Sequence, residues 1–190
     1  MRHRSSFNRL PLVGVGILAG LFTTTGSPGT MTEGAAAFTL TSPAFTEGTG
    51  IPPAYTCEGQ DVSLPLAWTD PPSGTNSFAL ISDDPDAPAG TWVHWVAYNL
   101  PPALRQLPEA FPTDAQLPDG TRQGRTDFGR TGYGGPCPPS GTHRYFFKLY
   151  ALDTLLILAP GATVPQLEAA MTGHVLAAAR LMGTYRRKGR

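Results

Sequence analysis

The stretch Ser77-Phe78-Ala79-Leu80-Ile81-Ser82-Asp83-Asp84-Pro85-Asp86 decides the fold, together with Trp92-Val93-His94-Trp95-Val96-Ala97-Tyr98-Asn99-Leu100. Both segments are apolar at odd and at even positions, which is typical of strands buried on both faces. Pro88-Ala89-Gly90 turns the chain between them, which indicates a pair of neighbouring strands. We therefore expect this pair in the interior of the domain.

Other short segments extend the pattern of strands. Leu64–Trp68 and Arg144–Ala151 are rich in apolar and aromatic residues, as strands usually are. The polar segment 101–131 between them is long for a structureless loop. We therefore expect part of that segment to pack against the body of the domain.

The C-terminal part of the chain predicts a helix and a last strand. Thr163 suits an N-cap, and Pro165 suits the first turn of a helix. Helical spacing of apolar residues then predicts a helix from Val164 to Ala178, followed by a strand around Leu181–Arg186. Several short strands and one late helix predict a mainly β fold, namely a β-sandwich of antiparallel sheets with a C-terminal helix.

Composition places the chain among small globular proteins. A chain of 190 residues with 41% hydrophobic content can build one domain with a core. Three of the 14 basic residues fall within the first nine positions, so the remainder has 11 basic and 14 acidic residues. Such a body offers no general attraction for nucleic acid or anionic membranes. The basic tail, residues 186–190, is interpreted as a frayed, solvated terminus.

The N-terminus has the anatomy of a secretory signal peptide. The basic start Met1–Arg9 precedes a 13-residue apolar run, Leu10–Phe22, and small and polar residues follow. Spanning a bilayer takes about 20 residues, so the run is too short for that. We predict a signal peptide over residues 1–29 and a single extracytoplasmic domain, periplasmic or secreted, over residues 30–190. Cleavage would leave no stable membrane insertion; an uncleaved anchor is the alternative.

The chain has two cysteines, Cys57 and Cys137, both in Gly/Pro-rich surroundings. An even number of cysteines in an exported protein indicates a disulfide. Two unpaired thiols are the alternative. Without a CxxC motif or a Cys/His cluster, we expect no metal site.

Candidate ligand-binding residues lie where the first central strand ends and in the middle of the second. Asp84 and Asp86 follow the buried run directly, and Pro85 restricts their movement; an Asx-type turn is the alternative interpretation. His94 lies within reach of these carboxylates across the two strands, although a lone histidine in a strand is more often a core residue. Strict alternation would place His94 on the face of Val96 and Tyr98.

A second group of candidates follows about fifty residues later. His143 and Tyr145 are two positions apart in a strand and therefore share a face, whereas Arg144 points to the other side, where an ion pair is expected. The preceding segment Gly132–Gly135 is either an anion nest of backbone N–H groups or a set of ordinary turn glycines. A histidine beside carboxylates is favoured as its cation and can then bind phosphate. A zwitterionic head group would match both signs of charge.

The chain resembles the phosphatidylethanolamine-binding protein family, in its bacterial form, the Raf kinase inhibitor-like proteins. The resemblance covers roughly residues 37–187 and rests on four ordered motifs: Asp84-Pro85-Asp86-Ala87-Pro88, Trp92-Val93-His94-Trp95, Gly132-Tyr133-Gly134-Gly135-Pro136-Cys137-Pro138-Pro139 and His143-Arg144-Tyr145. It implies two antiparallel sheets with a pocket for phosphate-like groups at one end. The implied pocket residues are Asp84, Asp86, His94, Gly135, Pro136, His143 and Tyr145. Because the loop after Cys137 is of the bacterial type, the ligands of eukaryotic members are not carried over.

The expected function is binding of a small anionic or zwitterionic ligand, such as a phospholipid head group, without catalysis or cofactor. The family name also suggests a protein-interaction module, which in an exported protein means an inhibitor with a secreted protease as its target. A hydrolase is a third class, because Asp with His can act as general acid and base. However, no G-x-S-x-G, HExxH or glycosidase signature is present.

We predict that the exported protein lacks Met1–Phe22, because the basic start and the short apolar run match a cleaved signal. N-terminal sequencing of the exported protein should find a start between Thr25 and Thr30. Recovery of an intact Met1 on membrane-bound protein would show an uncleaved anchor instead.

Overall fold

A computed structural model describes residues 37–189, and the predicted signal peptide, residues 1–29, lies outside them. Within this part the chain forms eight strands, a 3-10 turn at Pro53–Tyr55 and one α-helix. The elements are β1 (Thr39–Thr41), β2 (Leu66–Thr69), β3 (Ser77–Asp84), β4 (Trp92–Leu100), β5 (Gln106–Leu107), β6 (Arg122–Gln123), β7 (His143–Leu152), α1 (Val164–Met171) and β8 (Val175–Tyr185). None of these helices is long and apolar enough to cross a membrane, among the residues described.

The strands form two antiparallel sheets, which confirms the predicted mainly β sandwich with a C-terminal helix. The small sheet has the order β1-β2-β5 and the large sheet the order β6-β4-β3-β7-β8. β3 lies at the centre of the large sheet and is buried at every position. Its neighbours β4 and β7 both pair with it in antiparallel register. The pairing of β3 with β4 is the one that the turn at Pro88-Ala89-Gly90 predicted.

The large sheet separates two apolar clusters, which explains why its central strands are apolar on both faces. Towards the small sheet, Phe78, Leu80 and Trp95 pack with Trp68 and other residues of the first cluster. On the opposite face the second cluster joins strand residues to the helix and its flanks: Ala79, Ile81, Val96, Tyr98, Leu152, Leu156, Ala162, Leu167 and Met171. Helix α1 therefore covers the outer face of the large sheet.

Helix α1 is shorter than predicted. It starts as expected, with the Gln166 side chain accepting a hydrogen bond from the backbone N–H of Thr163 at 2.9 Å. The prediction that it continues to Ala178 is wrong, because Gly173 adopts φ +82° just beyond the helix end and reverses the chain. The last strand then starts at Val175 instead of Leu181. The ladder with β7, in which Ala177 pairs with Ala151, outweighs the helix propensity of the alanines.

Of the two register shifts between β3 and β4, the one nearer the start of β4 leaves an extra residue at His94. Ser82 pairs with Trp95 and the next residue of β3, Asp83, pairs with Val93, so His94 has no partner on β3. Such a bulge shifts the alternation of side chains. The prediction that His94 shares a face with Val96 and Tyr98 is therefore wrong: Val93 packs against their cluster instead. The His94 ring lies 5.2 Å from the ring of Tyr145, a residue of the inter-sheet core.

The long segment 101–131 packs partly against the body, as expected. It contributes strands β5 and β6, one to each sheet. Gln123 of β6 is fully buried, and its side chain accepts a hydrogen bond from the Trp95 indole N–H at 2.9 Å. The same side chain donates to the carbonyl oxygens of Pro112 and Asp114. A buried amide with these partners fastens the segment to the large sheet.

Cys57 and Cys137 form a disulfide with a Cα–Cα distance of 5.4 Å, as predicted. The bond joins the turn after Pro53–Tyr55 to the loop that precedes β7. Two hydrogen bonds reinforce the same junction: Cys57 N donates to the Pro136 carbonyl at 3.2 Å, and Gly135 N donates to the Asp61 carboxylate at 2.7 Å. Two segments far apart in sequence are thereby held together beside the end of the large sheet.

We expect thiol labelling of denatured, unreduced protein to modify no cysteine. Replacing both residues in Cys57→Ser/Cys137→Ser should lower the free energy of unfolding by at most roughly 4–5 kcal/mol, because the bridge closes a loop of 80 residues. Urea unfolding with and without reductant measures this loss. The double variant should respond to reductant no further; two labelled cysteines in the unreduced wild type would contradict the bridge.

Candidate anion-binding site

A cavity of about 210 Å³ opens where β3 ends and where β4 and β7 begin. Three of its lining residues are titratable, namely Asp84, His94 and His143. The remaining wall consists of the half-cystine Cys137 and the apolar residues Ala87, Pro88, Trp92, Phe128, Pro138 and Pro139. The volume is below the roughly 300–1,000 Å³ of pockets for drug-sized ligands, so the cavity suits a small group.

Asp84 and His143 form a buried pair in this wall. Asp84 is the last residue of β3 and only 3% exposed, and its Oδ2 accepts a hydrogen bond from Nδ1 of His143 at 2.7 Å. Its other oxygen accepts from the backbone N–H of Asp86 at 2.8 Å. Asp84 therefore forms the Asx-type turn and lines the cavity at the same time, so the two interpretations of this residue do not exclude each other. Because Nδ1 of His143 is committed to Asp84, its Nε2 is the nitrogen left for a ligand.

His94 is held in one tautomer by the loop before β7. Its Nδ1 lies 2.6 Å from the carbonyl oxygen of Gly134, which can only accept, so Nδ1 carries the proton. Gly134 N in turn donates to the His94 carbonyl at 2.9 Å. Burial lowers the pKa of His94, against the opposing effects of the Gly134 carbonyl and of the charges of Asp84 and Asp83. In the neutral ring that results, the lone pair is on Nε2.

The glycines of the loop serve close packing. Gly135 N donates to Asp61 and Gly134 N to His94, so neither N–H is left to form the anion nest considered above. A Cβ atom on Gly135 would lie 2.4 Å from the carbonyl oxygen of Tyr55. The buried Tyr133 hydroxyl donates to that oxygen at 2.8 Å. The loop is therefore fixed on both sides, which positions the carbonyl that orients His94.

Asp86 does not line the cavity. Its Oδ2 accepts from the backbone N and from Nε of Arg144, each at 2.9 Å, and its Oδ1 accepts from Nη2 at 2.7 Å. These hydrogen bonds lower the pKa of Asp86 to about 2. The ion pair expected for Arg144 is thus present, and it fastens the turn after β3 to the start of β7.

Tyr145 lies behind the wall, against the ring of His94. Its hydroxyl is buried and has no hydrogen-bond partner within residues 37–189. Burial raises the pKa of Tyr145, and the charge of Asp84 adds to this. The structure therefore brings Asp84, His94 and His143 to the cavity. Four other predicted residues do not line it and lie in the elements around it, namely Asp86, Gly135, Pro136 and Tyr145.

The aromatic part of the wall, Trp92 and Phe128, was not predicted from the sequence. Phe128 is 40% exposed, and its ring meets that of Trp92 edge-on at 5.6 Å and that of His94 at 5.3 Å. An aromatic residue in the short turn Asp127-Phe128-Gly129 is the feature of the sequence that could have indicated Phe128 as a wall residue. Aromatic faces of this kind can attract a ligand cation. No group of three or more His, Cys, Asp or Glu side chains suited to a metal ion occurs in the described part of the chain.

Comparison with known proteins connects this fold and site to one family. Residues 41–186 match the family model described as phosphatidylethanolamine-binding protein. A UPF0098 protein of Methanothermobacter thermautotrophicus is 53% identical over 148 residues, which are 78% of this chain and 98% of that protein. A UPF0098 protein of Aquifex aeolicus is 50% identical over 157 residues, covering 81% of this chain and 91% of that protein.

Two solved structures are similar to this chain in both sequence and fold. A structure described as a putative phosphatidylethanolamine-binding protein homologue from Chlamydia trachomatis superposes with a TM-score of 0.74 at 44% identity, covering 80% of this chain and 99% of that one. Escherichia coli YbcL, described as a member of the mammalian family, gives a TM-score of 0.72 at 34% identity, covering 80% and 100%. The match of residues 41–186, together with these relatives, shows that the chain belongs to the phosphatidylethanolamine-binding protein family.

Proposed function

We propose that this protein is an exported binding protein for small phosphate-containing or zwitterionic head groups, and that the cavity beside Asp84 is its binding site. One observation supports this above all: a carboxylate and two imidazoles meet in a single small cavity with an otherwise mainly apolar wall. Sites for small molecules usually have this composition, in which a few polar groups orient a ligand within an apolar cavity.

The two signs of charge favour a zwitterion over a simple anion. His94 and His143, each with Nδ1 bonded to the protein, can offer Nε2–H to phosphate oxygens when protonated. The Asp84 carboxylate would repel a bare phosphate but attract an ammonium group, and the faces of Trp92 and Phe128 add cation–π attraction. A head group such as phosphoethanolamine satisfies both kinds of partner.

Family membership and the N-terminal sequence support the other parts of the proposal. The solved Chlamydia relative is described as a phosphatidylethanolamine-binding protein homologue, and we extend that binding chemistry to this chain. The basic start and the apolar run of residues 1–22 favour export. A disulfide is also the expected state of paired cysteines in an oxidising compartment.

Binding without turnover agrees with the chemistry of the wall. The residues that line the cavity include no serine, threonine, lysine or tyrosine, and Cys137 is bound in the disulfide. Nucleophilic catalysis needs an activated group of one of these types, or a carboxylate or imidazole directed at the substrate. Nδ1 of each imidazole is bonded to the protein. Asp84 is engaged with His143. We expect no turnover of a panel of phosphomonoesters and phosphodiesters; hydrolysis that is lost in His94→Ala would establish an enzyme instead.

The role assigned to Asp84 predicts effects of different size on two ligands. Asp84→Asn removes the negative charge that attracts an ammonium group, so phosphoethanolamine should bind more weakly, by roughly 1–3 kcal/mol. Inorganic phosphate should lose less affinity than phosphoethanolamine, because the loss of a repulsive charge offsets the loss of the Asp84 charge that favours the imidazolium of His94. His94→Ala should weaken both ligands. Isothermal titration calorimetry of each variant measures these affinities.

The chain offers a matched control for these variants. His174 and Asp153 form a similar pair, with Nδ1 to Oδ1 at 2.8 Å, but on the surface and outside the cavity lining. His174→Ala and Asp153→Asn should therefore leave both affinities unchanged. Equal affinities in the wild type, Asp84→Asn and His94→Ala would mean that the polar cluster is structural.

Affinity should rise as the pH falls from 8 to 5.5. Burial lowers the pKa of His94 below 6.5, so the ring is neutral at pH 8. At that pH, part of the binding free energy of an anion is used to protonate the ring. A bound phosphate group stabilises the imidazolium, so binding takes up a proton and becomes stronger at lower pH. Asp86, with a pKa of about 2, stays ionised throughout and does not contribute.

Glycerophosphoethanolamine is the suitable probe, because a phosphodiester keeps one negative charge across this range whereas a phosphomonoester titrates near pH 6. Titrations at several pH values, repeated with His94→Gln, separate the contribution of this imidazole. The pH dependence should become shallower in His94→Gln. A wild-type affinity that is constant between pH 5.5 and 8 would contradict the proposed role of the imidazoles.

A further inference from the structure

A second cavity borders the first. It has a volume of about 200 Å³, and we call it the basic groove; it is lined by Pro138, Pro139, Ser140, Gly141, Arg186, Arg187 and Gly189. Pro138 and Pro139 also line the candidate site. These two prolines therefore belong to the walls of both cavities, and we call them the Pro138–Pro139 ridge. A ligand that extends across the ridge would reach both.

The arginines of the basic groove have unused hydrogen-bonding capacity. Within residues 37–189, neither Arg186 nor Arg187 forms a side-chain hydrogen bond or a salt bridge. Nε of Arg187 is buried and has no partner in this part of the chain. By contrast, Arg144 places its guanidinium on Asp86, and Lys148 places its ammonium on Asp83. A buried guanidinium nitrogen without an acceptor is costly, so an anionic ligand would be favoured here.

The tail that carries these arginines is docked, although the sequence suggested a frayed terminus. The hydroxyl of Tyr185, at the end of β8, donates to the Glu58 carboxylate, and Lys188 N donates to the same oxygen at 3.1 Å. These two bonds, with the charges of Arg187 and Lys188, lower the pKa of Glu58, which therefore remains an anion. Glu58 follows Cys57, so the disulfide that fixes the Pro138–Pro139 ridge also fixes the anchor of the tail.

Glu58 is the carboxylate that competes with a ligand for the tail. Its charge opposes an incoming anion, but its Oε2 is already engaged by Tyr185 and Lys188. The tail carries three positive charges, on Arg186, Arg187 and Lys188. They exceed the single negative charge of Glu58, so an excess of positive charge remains beside the ridge. Ser140 and Gly141, in the short turn before β7, also line the groove.

We propose that the ligand is a soluble bis-anion: one phosphate-containing group occupies the cavity beside Asp84, and a second anionic group lies in the basic groove against Arg186 and Arg187. This inference rests on the proposed function, whose site it extends. Each group alone binds modestly, and joining them makes the second contact intramolecular, which raises the affinity without any new surface. The chain length that spans the Pro138–Pro139 ridge sets the selectivity.

The test compares alkanediol bisphosphates of increasing chain length with the matching monophosphates by isothermal titration calorimetry. One chain length should bind about tenfold or more tightly than its monophosphate. Arg186→Gln/Arg187→Gln should remove that gain and leave the affinity for the monophosphate unchanged. The control Arg105→Gln/Arg180→Gln removes the same charge elsewhere: Arg105 bonds to nearby backbone carbonyls and Arg180 lies over the Phe146 ring. It should keep the gain.

The possible results separate the two proposals. The bis-anion proposal would be wrong if a monophosphate binds through Asp84 and His94 and no bisphosphate binds more tightly than its monophosphate. The proposed head-group site would then remain. A gain that survives Arg186→Gln/Arg187→Gln would overturn the bis-anion as well. Absence of binding by either series would overturn the bis-anion, whereas the head-group proposal is decided separately by the titration with phosphoethanolamine. Sedimentation with vesicles of phosphatidylethanolamine and phosphatidylglycerol tests a membrane source: Arg186-dependent vesicle binding without a soluble gain would assign the groove to a lipid surface and contradict a soluble ligand.

Discussion

The extra residue at position 94 of β4 is the feature on which the site depends. The register between β3 and β4 skips His94, so the side chains on either side of it keep their places in the two apolar clusters while His94 turns towards the end of the sandwich. Without the bulge, alternation would place this imidazole with Val96 and Tyr98, on the face that helix α1 covers. The bulge instead brings it to the cavity, opposite the pair that β3 and β7 supply in Asp84 and His143.

A second layer of contacts makes the cavity rigid before any ligand arrives. The loop from Tyr133 to Cys137 is bonded to His94 on one side and to Tyr55, Asp61 and Cys57 on the other. The disulfide closes the same junction covalently. A preformed site loses little conformational entropy when it binds, so a small ligand with few contacts can still bind well. The close approach of Gly135 to the Tyr55 carbonyl oxygen explains why position 135 of this loop is a glycine.

The distribution of charge around the cavity favours a ligand that carries both signs. Asp86 is neutralised by Arg144 and Asp83 by Lys148, so these carboxylates contribute little to the field in the cavity. The pair of Asp84 and His143 remains at the wall, with the neutral His94 beside it. Across the Pro138–Pro139 ridge the balance is different, because neither Arg186 nor Arg187 forms a salt bridge among residues 37–189, and of the two only Arg187 acts electrostatically on Glu58. A binding surface with a balanced half and a basic half selects ligands by the order of their charges as well as by their size.

The sequence by itself determined the features that are encoded locally. Two doubly apolar segments around Pro88-Ala89-Gly90 required a buried strand pair, Thr163 and Pro165 marked the start of α1, and the ordered Asp, His and Gly motifs identified the family. Only the tertiary structure decided the end of α1, because the ladder between β7 and β8 overrides the helix propensity of Ala177 and Ala178. It also decided which candidates line the cavity. The bulge at His94, the capture of Asp86 by Arg144 and the arrival of Phe128 from a separate turn all arise from pairings between segments distant in the chain. Local patterns report the preferences of neighbouring residues, whereas register and long-range partners are set by competition among all the packed elements at once.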